Sequence, residues 1–144
     1  MCRTHATVRR MLGELVAGGD GVTVVDMEAG LEHLSRGTTR ASDTMLVVAE
    51  PYFKSLETAR RGCELAKELG IPHVFVVANK SRGPRDDEAI RMFCERSRLD
   101  LLTTVSFDET VLEAELGGAA VLDVNAQACS VLQIQRLADL ITTF

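Results

Sequence analysis

Tryptophan is absent, and the aromatic complement is one tyrosine and five phenylalanines, 4% of the chain. That leaves little for base-stacking platforms on single-stranded nucleic acid or for an interfacial aromatic belt. Positive charge is also short. Sixteen Lys and Arg face 21 Asp and Glu over 144 residues, a net charge of -5, so no global basic field draws nucleic acid or anionic lipid. The four cysteines, Cys2, Cys63, Cys94 and Cys129, form no C-x-x-C pair. This removes a zinc ribbon or a dithiol redox site and suits a reduced, cytoplasmic setting. No apolar run reaches the length of a membrane span. Near the start, Glu14 interrupts the apolar stretch that follows Arg3, Arg9 and Arg10, so no signal-peptide core forms. What remains, 46% hydrophobic and 26% charged, is the composition of one globular domain, spanning 1–144, with an aliphatic core.

Hydrophobic periodicity organises the chain. Val8, Met11, Leu12, Leu15 and Val16 recur at helical spacing, and Gly18-Gly19-Asp20-Gly21 ends the run. Val22-Thr23-Val24-Val25-Asp26 then reads as a strand stopping at an acid. The same grammar continues with Met45–Ala49 ending at Glu50-Pro51, a helix from Ser55 to Leu69 and Val74–Ala78 ending at Asn79-Lys80. A helix from Asp86 to Arg98 follows, its first turn rich in acids, and then a weaker strand from Leu101 to Val105. Asp108 can cap a helix through Leu116, and Val131 to Ile141 reads as a terminal helix. Four strands thus alternate with helices. Near-continuous Val-rich strands predict burial on both faces, the pattern of a parallel α/β sheet. In such sheets ligands bind beyond the carboxyl ends of the strands. The residues to watch are therefore Asp26 to Gly30, Glu50-Pro51, Asn79-Lys80 and Ser106 to Asp108.

A strand-end Asp followed four residues on by Gly suits a nucleotide-phosphate site, the carboxylate reaching water or Mg²⁺ and the glycine admitting phosphate close to backbone. A loop or helix cap uses the same residues. The longer string from Val24 to Thr38, VVDMEAGLEHLSRGT, is more specific. It resembles the second phosphate-side motif of the ParA/MinD-like (SIMIBI-class) P-loop ATPases, and most closely the carbon monoxide dehydrogenase maturation ATPases of the CooC type. Ser42-Asp43, the strand to Glu50-Pro51, Ser55 to Ala59, Gly70-Ile71 with Val76 to Lys80, and Val105 to Asp123 resemble the segments that follow in that family. Ser106 stands where the family commonly has proline.

The resemblance implies a Rossmann-like, three-layer P-loop NTPase fold, binding of ATP/ADP with Mg²⁺, and assistance to nickel insertion into carbon monoxide dehydrogenase. It implies roles residue by residue. Asp26 would assist Mg²⁺ or the attacking water, Gly30 would approach the γ-phosphate, and Asn79 would hydrogen-bond adenine. The backbone of Ser106, Phe107 and Asp108 would line the base pocket. Cys2 resembles the second cysteine of the family's C-x-C motif, associated there with metal binding (Ni²⁺ or Zn²⁺) and dimerisation. A single thiolate falls short of the several donors either ion takes, so an incidental thiol stands beside the ligand reading. His5 and His33 have no ligand spacing to a neighbour and read equally as structural or solvated residues.

The sequence contains no G-x-x-x-x-G-K-[ST] loop, whose amides and Lys supply the strongest contacts to phosphate. Val74-Phe75-Val76-Val77-Ala78-Asn79-Lys80-Ser81 is a false match, because a strand rather than a glycine loop precedes the Lys-Ser. Lys80 itself falls on the base side and reads as a solvated strand end. The resemblance therefore covers nearly all of this chain but only the C-terminal part of the family, and the fold is expected to be incomplete because the P-loop strand is missing. The strands ending at Asp26 and Glu50 would then face a gap. Three outcomes are expected: they pair directly, the chain dimerises through exposed edges, or it is poorly stable. Two functions follow: an ATPase if an upstream P-loop segment exists, or a catalytically inactive remnant that pairs with a full-length relative. A homodimer, or that pairing, and a carbon monoxide dehydrogenase client are the expected partners. No nucleic acid or membrane is expected.

Overall fold

A computed structural model describes residues 21–27 and 42–142. From residue 44 onward the chain alternates strand and helix: β1 (Thr44–Ala49), α1 (Phe53–Glu68), β2 (His73–Ser81), α2 (Pro84–Ser97) and β3 (Leu101–Ser106). Three helices follow: α3 (Glu109–Leu116), the single turn α4 (Val121–Val124), and α5 (Cys129–Ile141). The strands form one parallel sheet in the order β1-β2-β3, the α/β architecture expected from the sequence.

The core lies where α1 and α2 cover the sheet. Leu56, Ala59, Cys63 and Ala66 form a buried stripe along α1 at helical spacing. Small residues dominate it, so the helix backbone can approach Ala49, Val74, Val76 and Ala78 of the strands closely. From α2, Ile90 and Cys94 complete the cluster. The opposite face of α1 is solvated, with Arg60 bridging Glu57 at 2.7 Å and Glu64 at 2.5 Å.

Both crossover helices end in the same way. Gly70, at φ 80°, lets its own amide reach Lys67 O and the Ile71 amide reach Ala66 O. At the end of α2, Arg98 takes that role at φ 54°, with Leu99 N donating to Cys94 O at 2.9 Å. These are paired 6→1 and reverse-turn bonds that satisfy the last carbonyls and turn the chain into the next strand. The α2 start is equally well specified: Pro84 sits in the first turn, followed by Asp86 and Asp87.

Two expectations are corrected. Val22–Asp26 is not a strand: the segment is irregular, with Val22, Val24 and Val25 exposed at 69%, 80% and 45%. It has not paired with β1, whose only partner among the described residues is β2. A β-branched run favours a strand only where a neighbouring strand and a covering layer receive it, and neither meets this segment among the described residues. The described sheet accordingly has three strands rather than four. Burial on both faces also fails for β1. Its residues are mostly half-buried, and Val48 is 60% exposed, as befits the edge strand of the described sheet. The helix expected before Gly18 and the string from Glu28 to Thr38 lie outside the described residues.

Candidate functional site

The carboxyl ends of β1, β2 and β3 converge on one edge of the sheet, because parallel pairing points all three strands the same way. Glu50, Asn79-Lys80 and Ser106-Phe107-Asp108 are all found there. The β2–β3 register shifts between Ala78 and Ser81, so that three steps on β2 oppose two on β3. Asn79 and Lys80 occupy this bulge, and Lys80 adopts φ 57°. The Asn79 side chain stabilises the turn, its Oδ1 accepting from Lys80 N at 3.0 Å. Its amide NH₂ keeps two donors beyond that bond.

Lys80 is exposed, as expected, but it is not a free cation. Its Nζ donates to Glu50 Oε1 at 2.9 Å, joining the ends of β1 and β2. The Glu50 carboxylate raises the Lys80 pKa above its ordinary value. The Glu50 amide donates to Ser55 Oγ at 2.9 Å, anchoring the turn into α1.

Beyond the bulge, Ser81 is buried and its Oγ donates to Asp87 Oδ1 at 2.5 Å. The neighbouring Arg82 amide donates to Asp86 Oδ2 at 3.0 Å. The first-turn acids of α2 therefore tie down the β2–α2 loop. Arg82 in turn lies over the Phe107 ring, 5.1 Å from its centroid, a cation–π contact between two of the edge loops.

Ser106, Phe107 and Asp108 are each fixed. Ser106 N donates to Gln133 Oε1 at 2.8 Å, while Gln133 Nε2 donates to Ser106 Oγ at 3.0 Å. Phe107 N donates to Ser81 O at 2.7 Å. Asp108 caps α3, as the sequence predicts, through Oδ1 and Thr110 N at 3.0 Å. Its Oδ2 accepts from both Ser130 N and Ser130 Oγ, at 3.1 and 3.0 Å, at the start of α5. These bonds, led by the Ser130 amide, hold the Asp108 carboxyl down at about 2.

The structure thus brings Asn79, Ser106, Phe107 and Asp108 to one edge. Asp26 lies exposed in the irregular segment 22–27, while Gly30, Cys2, His5 and His33 lie outside the described residues. Gln133, Ser130 and Arg82 were not anticipated. One signal existed for Ser130: Ala128, at the N-cap of α5, has no side chain able to accept, so the first amides of that helix needed a remote acceptor. Nothing local marks Gln133 as a partner of Ser106, 27 residues away.

The donor chemistry of this edge suits a base better than a phosphate. Asn79 retains donors and the loops are tied by the hydrogen bonds above, but the one lysine present is committed to Glu50. Among the described residues no group of three or more His, Cys, Asp or Glu is placed to hold a metal. Cys63 and Cys94 are buried, and burial pushes the Cys63 thiol up to about 11, the opposite of a metal-ready thiolate. No described helix is long and apolar enough to cross a membrane.

No family model matches the sequence. Individual proteins do. An uncharacterised ATP-binding protein of Methanocaldococcus jannaschii is 40% identical over 119 residues, 82% of this chain and 46% of that protein. The carbon monoxide dehydrogenase accessory protein CooC of Rhodospirillum rubrum is 35% identical over 126 residues, 87% of this chain and 47% of that protein. Among solved structures, the MinD cell division protein of Aquifex aeolicus superposes with a TM-score of 0.79 at 14% identity, covering 97% of this chain and 61% of that one. A ParA family ATPase from Chlorobium tepidum gives 0.54 at 22% identity, over 73% and 42%. The chain therefore has a MinD/ParA-like P-loop NTPase fold and belongs with the ATP-binding proteins that include CooC, spanning about half the length of the curated relatives it matches.

Proposed function

We propose that this chain forms the base-binding side of an ATP-dependent accessory ATPase of the CooC type, assisting nickel insertion into carbon monoxide dehydrogenase in the cytoplasm. The observation that carries the reading is the convergence of Asn79 and Ser106-Phe107-Asp108 on one sheet edge, joined by the Phe107 N to Ser81 O bond, in a homologue of CooC. Asn79 would donate to the adenine ring, and the loop from Ser106 to Asp108 would border it. When bound, ATP with Mg²⁺ supplies the phosphoryl group whose hydrolysis drives such proteins. On this chain, Asp26 would assist Mg²⁺ or the attacking water, and Gly30 would approach the γ-phosphate. Cys2 is the proposed ligand for Ni²⁺ or Zn²⁺, shared across a homodimer.

The sequence carries no Gly-rich loop and Lys for the phosphates, so the chain by itself binds through the base. Adenosine and ATP should then perturb the amide resonances of residues 79–82 and 106–108 alike in ¹⁵N spectra. Their affinities should be weak and within about fivefold of each other, since charge-assisted phosphate contacts are missing. Silence of both loops at millimolar adenosine rejects the base site, whereas ATP binding orders of magnitude tighter than adenosine reveals a phosphate cradle this reading omits.

A second reading is an inactive remnant that pairs with a full-length relative. Exposure of Val22, Val24 and Val25 favours it, because a β-branched segment without a sheet neighbour among the described residues is a ready partner for another chain.

A further inference from the structure

Helix α3 turns its apolar side chains the wrong way for a helix that only closes the fold. Among its 8 residues Ala114 alone is buried, whereas Val111, Leu112 and Leu116 are exposed, Leu116 at 82%. At the α-helical pitch, Leu112 and Leu116 stand one above the other on the side opposite Ala114. Glu109 and Glu113 flank that ridge on one side and Glu115 on the other. The helix packs against α4, which the chain reaches through Gly118 at φ 65°. There Leu122 and Val124 are exposed as well. Two adjoining short helices therefore present large apolar side chains to solvent, the pattern of a surface that another molecule covers.

The charge around these residues selects the kind of cover. No Lys or Arg occurs between Arg98 and Arg136. Glu109, Glu113, Glu115 and Asp123 join no ion pair among the described residues. Glu115 is felt by Lys80, but the partner of that lysine is Glu50. Glu113 and Glu115 also stand toward the C-terminal end of α3, where the helix dipole favours cations and the last turn has none. Exposed leucines and misplaced acids both work against the helix on its own, as residues do where a site outranks local stability. An acidic rim around an apolar ridge repels nucleic acid and anionic lipid. It also repels a copy of itself, since a two-fold contact sets the same patch, glutamates included, against itself.

We infer that α3 and α4 form a docking surface for a basic amphipathic helix of another protein. Its apolar face covers Leu112, Leu116, Leu122 and Val124, and its lysines or arginines meet Glu113 and Glu115. Those cations also complement the C-terminal end of α3. The inference is independent of the base-site reading above.

The test titrates the 144-residue chain with a synthetic helical peptide of leucine and lysine at amphipathic spacing, and with its leucine and glutamate counterpart. Wild type should bind the lysine peptide about tenfold or more tightly than the glutamate peptide, and the preference should shrink as salt rises. Leu112→Ala with Leu116→Ala places the best helix former at both positions. It should weaken the lysine peptide by about tenfold or more, the loss expected on truncating central contacts. Glu113→Lys with Glu115→Lys should exchange the preference, so that the glutamate peptide binds more tightly. Net charge does not account for such a gain, because the altered chain is still net negative. No binding of the lysine peptide to the wild type at millimolar concentration overturns the inference, as does undiminished binding in the leucine variant. Loss of the lysine peptide without gain of the glutamate peptide in the charge-reversed variant also overturns it, since the attraction is then one of net charge alone. Should the leucine variant not fold, the exchange of preference decides by itself.

Discussion

Asp108 is the residue on which two helices start. Its two carboxylate oxygens serve different elements, Oδ1 the first turn of α3 and Oδ2 the first turn of α5. Replacing an N-cap aspartate by alanine costs about 1 kcal/mol, so Asp108→Ala, losing two caps, should destabilise the chain by about 2 kcal/mol in urea melts. Asp108→Asn keeps one acceptor oxygen and should recover part of the loss. The pH dependence follows from the lowered pKa. The group is held at about 2 when folded against an ordinary 3.8, so its contribution is complete above pH 3.8 and is lost as pH falls toward 2. Stability measured across that window should decline less steeply in Asp108→Ala than in the wild type. The sequence assigns the Asp108 side chain to a cap, and the resemblance assigns its backbone to a base pocket. The structure commits its oxygens to capping, which leaves the neighbouring backbone as the part of the loop available to a ligand.

The α2 helix shows what a single backbone angle costs an element. Its last turn closes through Arg98 in the left-handed region, where a residue with a Cβ is disfavoured by about 1–2 kcal/mol. Glycine avoids that cost but adds about 0.5–1 kcal/mol of backbone entropy to the unfolded chain. Arg98→Gly should therefore stabilise the protein by about 0.5–1 kcal/mol, read as a rise of a few degrees in the thermal midpoint. Gly70 already occupies the equivalent place after α1, and Gly70→Ala should move stability the other way. Comparison of these two ends explains why α1, α2 and the strands between them were legible in the sequence. Leu56, Ala59, Cys63 and Ala66 on one helix, and Ile90 and Cys94 on the other, repeat at helical spacing, while Val74, Val76 and Val77 form a compact β-branched run. Each signal is local and each agrees with the packing it serves. The single turn α4 was not anticipated, because Val121–Val124 carries too few residues to show a period.

For the molecule as a whole, the exposed valines at 22, 24 and 25 set the behaviour in solution. Apolar side chains exposed to this degree on a segment without described sheet partners should drive association as concentration rises. Sedimentation equilibrium of the wild type should show an apparent mass above 15.7 kDa that grows with concentration. Val24→Lys should lower that mass toward the monomer while leaving the thermal midpoint of the dilute protein within about 1 °C, since an exposed side chain away from packing contributes little to stability. A drop of many degrees would mean that Val24 is packed within the fold instead. Direct pairing of this segment with β1, one of the expected ways of closing the sheet, is not what the described residues adopt.

The sequence by itself determined the order and type of elements from Thr44 to Ile141 apart from the single turn α4, the parallel sheet, the cap at Asp108 and the relationship to the CooC-like ATP-binding proteins. These rest on periodicities, turn chemistry and strings of residues close together in the chain. Only the tertiary structure decided that Val22–Asp26 is not a strand, that Lys80 is held by Glu50 across 30 positions, and that Gln133 and Ser130 fix the loop at the end of β3. Each of these depends on which groups meet in space. A β-branched segment becomes a strand only beside another, and a carboxamide becomes a clamp only when a helix 27 residues away lies along the strand it holds.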